Sequence, residues 1–350
     1  MSSGHFQALR VHSVCAEADD AVTIRLELPP EQHGRFRFEP GQHLTLRRGG
    51  LHRSYSICAA PGEPLRVGVR RVPGGVFSTW LHETLRAGDL VDVMEPEGRF
   101  GAALSRHPRH LLAVAGGSGI TPILSIVRAT LETDPRARVT LLYGNRTAAS
   151  TMFKEELEDL KNRHLARLAL HWVFSREEVD SPLHAGRLDA EKIATLLRLC
   201  GPVDQAFVCG PHAMNDEVEG ALLAAGLARD AVHVERFGIP PAIAAQPVPV
   251  SAPGDATRAR IRIVRDGLAR EIAFQPGDAS ILAAAARAGL DVPYSCKSGV
   301  CATCRAKLVE GRVRMDRNFA LEAADLEAGF VLACQSHPLT DRVVLSFDQR

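Results

Sequence analysis

The chain has 350 residues, enough for two or three domains. Its 42 Lys and Arg nearly cancel its 41 Asp and Glu, which leaves no basic surplus to bind nucleic acid. The apolar share is ordinary for a globular protein, and no apolar run reaches the roughly 18 residues of a membrane-spanning helix, so no membrane insertion is expected.

The start, Met1-Ser2-Ser3-Gly4-His5-Phe6-Gln7, lacks the basic stretch and apolar core of a signal peptide. Residues 1–106 then read mainly as strands. Residues 22–28 alternate apolar and polar with period two, and turn signals follow at Pro29-Pro30 and Pro40-Gly41. Further strands are expected at 43–46, 54–59 and 65–70, with one helix over 78–86 that closes near Gly88. Closely spaced strands with a single helix predict a small antiparallel β-barrel. Two stretches here carry chemistry. Gly74-Gly75-Val76-Phe77-Ser78 is a glycine turn opening a helix, whose backbone N–H groups suit a phosphate. Arg53-Ser54-Tyr55-Ser56 could clamp the same pyrophosphate through Arg53 and lay the Tyr55 ring on a flat heterocycle. Each stretch alone reads as well as a turn or an amphipathic strand.

Residues 107–239 change period. His110-Leu111-Leu112-Ala113-Val114-Ala115 is the continuous apolar run of a buried parallel strand. It enters Gly116-Gly117-Ser118-Gly119-Ile120-Thr121-Pro122 and then a helical stretch, which is the dinucleotide-binding arrangement of strand, glycine loop and helix. No Gly-Lys-Ser/Thr follows, which excludes a P-loop. Alternation continues with strands at 138–143, 169–174, 205–209 and 233–237 and helices at 152–162, 189–199 and 215–225. Alternating elements predict a parallel sheet with ligand outside the carboxyl ends of its strands. Gly116 to Thr121, Gly144-Asn145-Arg146, Ser175-Arg176 and Cys209-Gly210-Pro211 all fall at such ends.

Residues 240–258 are rich in Pro and Ala and read as a stiff extended linker. Beyond them, residues 259–350 suggest a small α+β domain. Asp266-Gly267 signals a hairpin, Asp278 or Ser280 can cap a helix that Gly289 stops, and strands are expected at 305–309, 331–334 and 343–347. Within it Cys296, Cys301 and Cys304 stand in C-x4-C-x2-C spacing, and Cys334 follows after a gap. That is the spacing at which four thiolates hold a plant-type [2Fe–2S] cluster. A zinc ribbon wants a second close cysteine pair, and a thioredoxin-type site would need neither Cys296 nor Cys334. Of the other four cysteines, Cys15, Cys58 and Cys200 read as small apolar residues, and a reducing cytoplasm fits all of them.

Taken together these motifs resemble the ferredoxin–NADP reductase superfamily with a plant-type ferredoxin fused at the C-terminus, over essentially the whole chain. The resemblance implies a multidomain fold: an FAD-binding β-barrel, an α/β NAD(P)-binding domain and a β-grasp-type ferredoxin domain. It implies Arg53 and the Gly75, Val76, Phe77, Ser78 segment on the FAD pyrophosphate, Tyr55 on the isoalloxazine and Ser56 near flavin N5. It implies Gly116, Gly117, Gly119 and Thr121 at the nicotinamide, with Gly210 and Pro211 beside the Cys209 thiol, and Glu235 and Phe237 beside the flavin. Residues 53–58 and 72–81 are most similar to the reductase components of phenylacetyl-coenzyme A epoxidation, and are similar also to those of steroid and alkane hydroxylases and desaturases. The implied partner is therefore an oxygenase or hydroxylase component.

Electron counting orders the cofactors. A nicotinamide gives two electrons at once and a [2Fe–2S] centre accepts one, so a flavin stands between them. A passive iron–sulfur carrier would not need Arg53, Tyr55, Gly116 to Thr121 and Cys209 together, and a flavin reductase that ignores its cluster is the other rival. The strand end at Arg146 has no Asp or Glu for a ribose 2′-hydroxyl, and Ser175-Arg176 resembles the pair that holds a 2′-phosphate in plant-type reductases. NADPH is thus the expected donor, with NADH the alternative. Glu177-Glu178 oppose that reading unless they only cap a turn.

Overall fold

A computed structural model describes residues 6–106, 108–240, 243 and 251–349. The chain divides into two compact units, with the break between Phe237 and Gly238. Part of the linker expected at 240–258, residues 241–242 and 244–250, lies outside the described residues.

The first unit opens with strands β1 (Phe6–Ala18), β2 (Ala21–Glu27), β3 (His43–Arg48), β4 (Leu51–Ser56), β5 (Arg66–Arg70) and β6 (Leu90–Met94), and helix α1 (Val76–Glu83). They form an antiparallel sheet in the order β4-β3-β6-β1-β2-β5. The sheet closes on itself through an antiparallel bridge between Ile57 and Val67 and a Cys58 N–H bond to Arg66 O of 3.0 Å. This is the expected barrel, filled by Leu9, Ile24, Leu44, Leu46, Val67 and Val93, with Leu81 of α1 packed in. Two of its strands, β1 and β6, have no counterpart among the elements expected from the sequence. In β1 the alternation is broken by register shifts between Val11 and Ser13 and between Ala16 and Ala18, which hide its period of two. Strand β4 also sits three residues earlier than expected, because the two-residue turn Gly49-Gly50 pairs Arg48 directly with Leu51.

The α/β layer follows: β7 (His110–Gly116), α2 (Ile120–Thr133), β8 (Arg138–Asn145), α3 (Lys154–Arg163), β9 (Leu168–Phe174), α4 (Ala190–Cys200), β10 (Gln205–Gly210), α5 (His212–Ala224) and β11 (Val232–Arg236). The sheet is parallel in the order β11-β10-β7-β8-β9. Every residue of β7 is buried because helices cover both faces. Leu111 and Ala113 face α2 and α3, whereas Leu112 and Val114 face α4 and α5. The strand order reverses between β7 and β10, so a crevice opens there. Buried polar bonds fix the barrel to this layer: Ser125 Oγ donates to Ala59 O at 2.7 Å, and Arg66 and Arg128 both reach Glu156, at 2.9 and 2.7 Å.

The second unit holds β12 (Arg260–Arg265), β13 (Leu268–Ala273), α6 (Ile281–Arg287), β14 (Arg305–Glu310), β15 (Val313–Met315), α7 (Ala323–Glu327), β16 (Phe330–Leu332), β17 (Ser336–Pro338) and β18 (Arg342–Ser346). Its main sheet runs β13-β12-β18-β14-β16, with β12 and β18 parallel. Helix α6 lays Ile281, Leu282, Ala284 and Ala285 on Ile261, Ile263, Val343 and Leu345. That is the β-grasp arrangement. Ser280 caps the helix by accepting the Ala283 N–H at 3.2 Å, while Asp278 instead pairs with Arg287 at 2.8 Å.

Candidate functional site

Strand β4 and the start of α1 form one face of the barrel. Arg53 is exposed on β4, and its Nη1 donates to His52 O at 2.7 Å. Ser54 and Thr45 hydroxyls meet across the strand pair at 3.2 Å, and Ser56 is buried. The Tyr55 ring lies 6.2 Å from that of Phe77, which meets Trp80 edge-on at 5.4 Å. Burial pushes the Tyr55 phenol well above its usual range, so it stays neutral. Gly75 is the N-cap of α1. The Ser78 hydroxyl donates to Gly75 O at 3.2 Å and accepts the Val72 N–H at 3.1 Å, so it closes the turn rather than facing outward. Phe77 is buried and Val76 is 71% exposed. The outward polar groups of this turn are therefore the unpaired backbone N–H groups that begin every helix.

At the crevice, β7 ends at Gly116 and a 3-10 turn over Gly117–Gly119 leads into α2. Thr121 is buried and its hydroxyl donates to Ser118 O at 3.0 Å. Strand β10 brings Cys209 and Gly210, with Pro211 as the N-cap of α5. A Cβ at Gly119 would lie 2.1 Å from Cys209 O, so only glycine lets the β7 loop close on β10. Gly116 and Gly210 are likewise pressed against Met214, whose atoms would lie 2.7 and 2.4 Å from added Cβ atoms. On β11, Glu235 stands directly beside Cys209. Burial raises the Glu235 carboxyl to about 8, and burial with the Glu235 charge raises the Cys209 thiol. Glu235 as a whole is half-buried, but its Oε2 is buried without a hydrogen-bond partner among the described residues. The structure thus gathers the glycine loop, Cys209 to Pro211 and Glu235 at one mouth, whose two titratable groups are both neutral near pH 7. Phe237, 47% exposed, lies just past β11.

The buried carboxyl has a measurable consequence. Folding holds the Glu235 proton up to about pH 8, whereas the unfolded chain releases it near 4.5. Between those values the folded state binds the extra proton, so stability falls as pH rises through this window. Glu235→Gln is expected to flatten that part of the melting-temperature profile, and a parallel profile would contradict the assignment.

Arg146, Ser175 and Arg176 stand at the ends of β8 and β9. Arg146 is not free: its Nη2 lies 2.5 Å from Asp20 Oδ2 in the β1–β2 turn. Asp20 Oδ1 in turn lies 3.0 Å from Arg70 Nε, and Arg70 also donates to Ser150 O. Ser175 Oγ donates to Asn145 O at 3.3 Å, and Arg176 is exposed. Glu177 accepts the Ala148 N–H at 2.6 Å and so caps the loop that follows Arg146, which keeps its carboxylate on the same side as the proposed phosphate site. Asp20 and Arg70 escaped the sequence reading because their significance depends on partners far along the chain.

In the second unit the four spaced thiols converge in two pairs. The Cys301 thiol bonds to Cys296 and the Cys304 thiol to Cys334, which lowers Cys296 and Cys334 and raises Cys301 and Cys304. The pairs also feel each other's charge, Cys301 on Cys304 and Cys296 on Cys334. Among the described residues no three His, Cys, Asp or Glu form a single-ion site, and a two-and-two thiol set is the donor arrangement of a binuclear cluster. The loop aims backbone donors at the sulfurs: Ser298 N–H at Cys296 Sγ, 3.3 Å, and Cys296 N–H at Cys301 Sγ, 3.5 Å. Lys297, Gly299 and Ala302 take positive φ of 55°, 80° and 55° to do so. At Gly299 a Cβ would meet Arg317 O at 2.9 Å, and Gly299 O accepts the Phe319 N–H at 3.0 Å. Of the remaining cysteines, Cys58 is buried and Cys200 partly buried, but Cys15 is exposed, contrary to the expectation of a packing role.

Three family descriptions match the chain: an oxidoreductase FAD-binding domain over residues 8–101, an oxidoreductase NAD-binding domain over 113–220 and a 2Fe-2S iron-sulfur cluster binding domain over 263–339. The chain is 44% identical to one of the subunits of the 1,2-phenylacetyl-CoA epoxidase of Escherichia coli, across 99% of this chain and 98% of that one. It is 34% identical to the ferredoxin reductase component of the 3-ketosteroid-9-alpha-monooxygenase of Rhodococcus rhodochrous, across 97% and 96%. Among solved structures it is similar to phthalate dioxygenase reductase, with a TM-score of 0.61, 25% identity and 98% of each chain covered.

Proposed function

The chain belongs to the oxidoreductases that join FAD-binding, NAD-binding and 2Fe-2S domains as reductase components of oxygenases, and on that basis we propose that it serves an oxygenase that epoxidises phenylacetyl-CoA. It is a nicotinamide-dependent oxidoreductase. With FAD and [2Fe–2S] bound it takes electrons in pairs from the nicotinamide and delivers them singly through the cluster. The observation that carries the narrower reading is the end-to-end 44% identity to the epoxidase component, against 34% for the steroid system. The test is reconstitution with purified phenylacetyl-CoA epoxidase and, separately, a 3-ketosteroid oxygenase component. Epoxide formation is expected only with the first, and preferential support of steroid turnover would overturn the reading.

Residues 1–106 are assigned to flavin, 107–239 to nicotinamide and 259–350 to the cluster, with a linker over 240–258; the matched ranges fall inside these limits. Arg53 and the first N–H groups of α1, those of Val76, Phe77 and Ser78 behind the Gly75 N-cap, hold the FAD pyrophosphate, and the Tyr55 ring and Ser56 face the flavin ring. Gly116, Gly117, Gly119 and Thr121 seat the nicotinamide against Cys209, Gly210 and Pro211. Neutral Glu235 offers a carboxyl proton as a hydrogen-bond donor there, and Phe237 shields the flavin from water. Cys296, Cys301, Cys304 and Cys334 ligate the cluster. The four cysteines outside the cluster, Cys15, Cys58, Cys200 and Cys209, are free thiols, which suits the cytoplasm.

NADPH is the proposed donor, bound at its 2′-phosphate through Ser175 and Arg176, with Arg146 beside them offering the N–H groups that its ion pair with Asp20 leaves over. Arg176 is exposed at the end of β9 and ready for a charge-assisted bond. Losing it costs about 1.5–3 kcal/mol, so Arg176→Ala is expected to raise KM for NADPH by about tenfold to a hundredfold while NADH use stays nearly constant. A wild type that prefers NADH, or equal weakening of both, would show the 2′-phosphate assignment to be wrong.

A further inference from the structure

Gln335 directly follows the fourth cysteine and is only 6% exposed. Its Nε2 lies 3.0 Å from Lys297 O, 3.0 Å from Cys334 O and 3.5 Å from Cys334 Sγ. All three are acceptors for two N–H groups, so one N–H is shared between Cys334 O and Cys334 Sγ. The side-chain amide must therefore turn its NH2 group toward them, since the opposite flip would set Oε1 against two carbonyls. Lys297 follows Cys296 in one thiol pair, whereas Cys334 belongs to the other. One side chain thus ties the two halves of the donor set together. The hydroxyls of Ser298 and Thr303 bond Cys296 and Cys301, but each belongs to the same short loop as its sulfur.

The amide has little freedom. Its Cγ lies 3.2 Å from where a Cβ on Gly299 would stand. Its backbone is held on both sides, by Gln335 N–H to Leu332 O at 2.9 Å and Asp316 N–H to Gln335 O at 3.0 Å. Asp316 is itself anchored by His337 Nε2 at 2.9 Å and by an ion pair to Arg314, which also grips Asp255. A donor fixed in this way keeps its direction whatever the charge on the sulfur.

We propose that Gln335 is a positioning residue that donates a hydrogen bond to the Cys334 thiolate and thereby raises the reduction potential of the cluster. Reduction adds one negative charge, which is shared onto the thiolates. An N–H aimed at sulfur stabilises the more negative state more than the oxidised one, and hydrogen bonds to the sulfurs are among the levers that set such potentials. Burial strengthens the effect because Cys334 is only 7% exposed and sits in a low-dielectric surrounding. The consequence is a cluster that pulls electrons from the flavin more strongly than its thiolates alone would allow.

Gln335→Met keeps length and approximate volume and removes the donor. The measurement is a redox titration of the full-length protein followed by EPR, with iron and acid-labile sulfide assayed in parallel. At full cluster content, the reduction equilibrium is expected to fall by about tenfold, equivalent to about 59 mV for one electron, with the flavin potential unchanged. An unchanged cluster potential would overturn the proposal. A second measurement needs only the wild type: with glutamine labelled at its side-chain amide with 15N, pulsed EPR of the reduced protein is expected to show a 15N coupling to the cluster. Its absence would overturn the proposal even if Gln335→Met failed to assemble.

Discussion

Cys304→Ser is expected to abolish electron delivery to a one-electron protein acceptor while leaving NAD(P)H-dependent ferricyanide reduction in place. Cys304 is buried, and its thiol is bonded to Cys334 in the second of the two pairs. A serine hydroxyl does not become an anion near pH 7 and cannot replace a thiolate, so the variant should lose iron and acid-labile sulfide together. The flavin and nicotinamide regions should survive the loss, because the two units have separate cores. Cys304 packs with Ile261, Leu332 and Leu345, whereas Leu44 and Val67 fill the barrel and Leu111 and Ile123 belong to the α/β layer. The assay pair is decisive: dye reduction reads the flavin alone, and reduction of the protein acceptor reads the whole path. Equal loss of both activities would contradict this modular description.

Gly119→Ala should have the opposite pattern, with a flavin that remains bound but is no longer reduced efficiently by nicotinamide. The added Cβ would lie 2.1 Å from Cys209 O, 2.4 Å from Cys209 C and 2.8 Å from Gly210 N, all backbone atoms that cannot rotate away. The loop after β7 must therefore lift off the end of β10, and overpacking of this kind costs about 1–3 kcal/mol. The same movement opens the crevice in which the proposed nicotinamide groups meet. A misplacement of about 1 Å at a reacting centre can cost about a hundredfold in rate, so flavin reduction in stopped flow should slow by roughly that factor. FAD content should not change, because Arg53, Tyr55 and the start of α1 lie on the barrel. Wild-type reduction rates in Gly119→Ala would show that this close approach does not position the nicotinamide.

Much of this molecule was legible along the chain because the relevant signals are local. The spacing of Cys296, Cys301 and Cys304 is set by a loop that wraps a single object, so it survives as a pattern in nine consecutive residues. The parallel layer announced itself because helices on both faces force strands such as β7 to be apolar throughout. Where one face of a strand is solvated and bulges interrupt the period, as in β1, that signal failed.

The tertiary structure decided what depends on partners far apart in the chain. Cys209 and Glu235 are neighbours only because β10 and β11 are parallel and in that register, and the burial that keeps Glu235 protonated follows from packing. Arg146 meets Asp20 across 126 residues, an ion pair with no local periodicity to betray it. The Ser78 hydroxyl is committed to its own turn, which its spacing from Gly75 could not disclose. Gln335 acquires its place between Lys297 and Cys334 only when the chain returns to the cluster loop. Local sequence sets which backbone forms and which side chains are on offer, but long-range pairing sets the distances on which hydrogen bonding and charge depend.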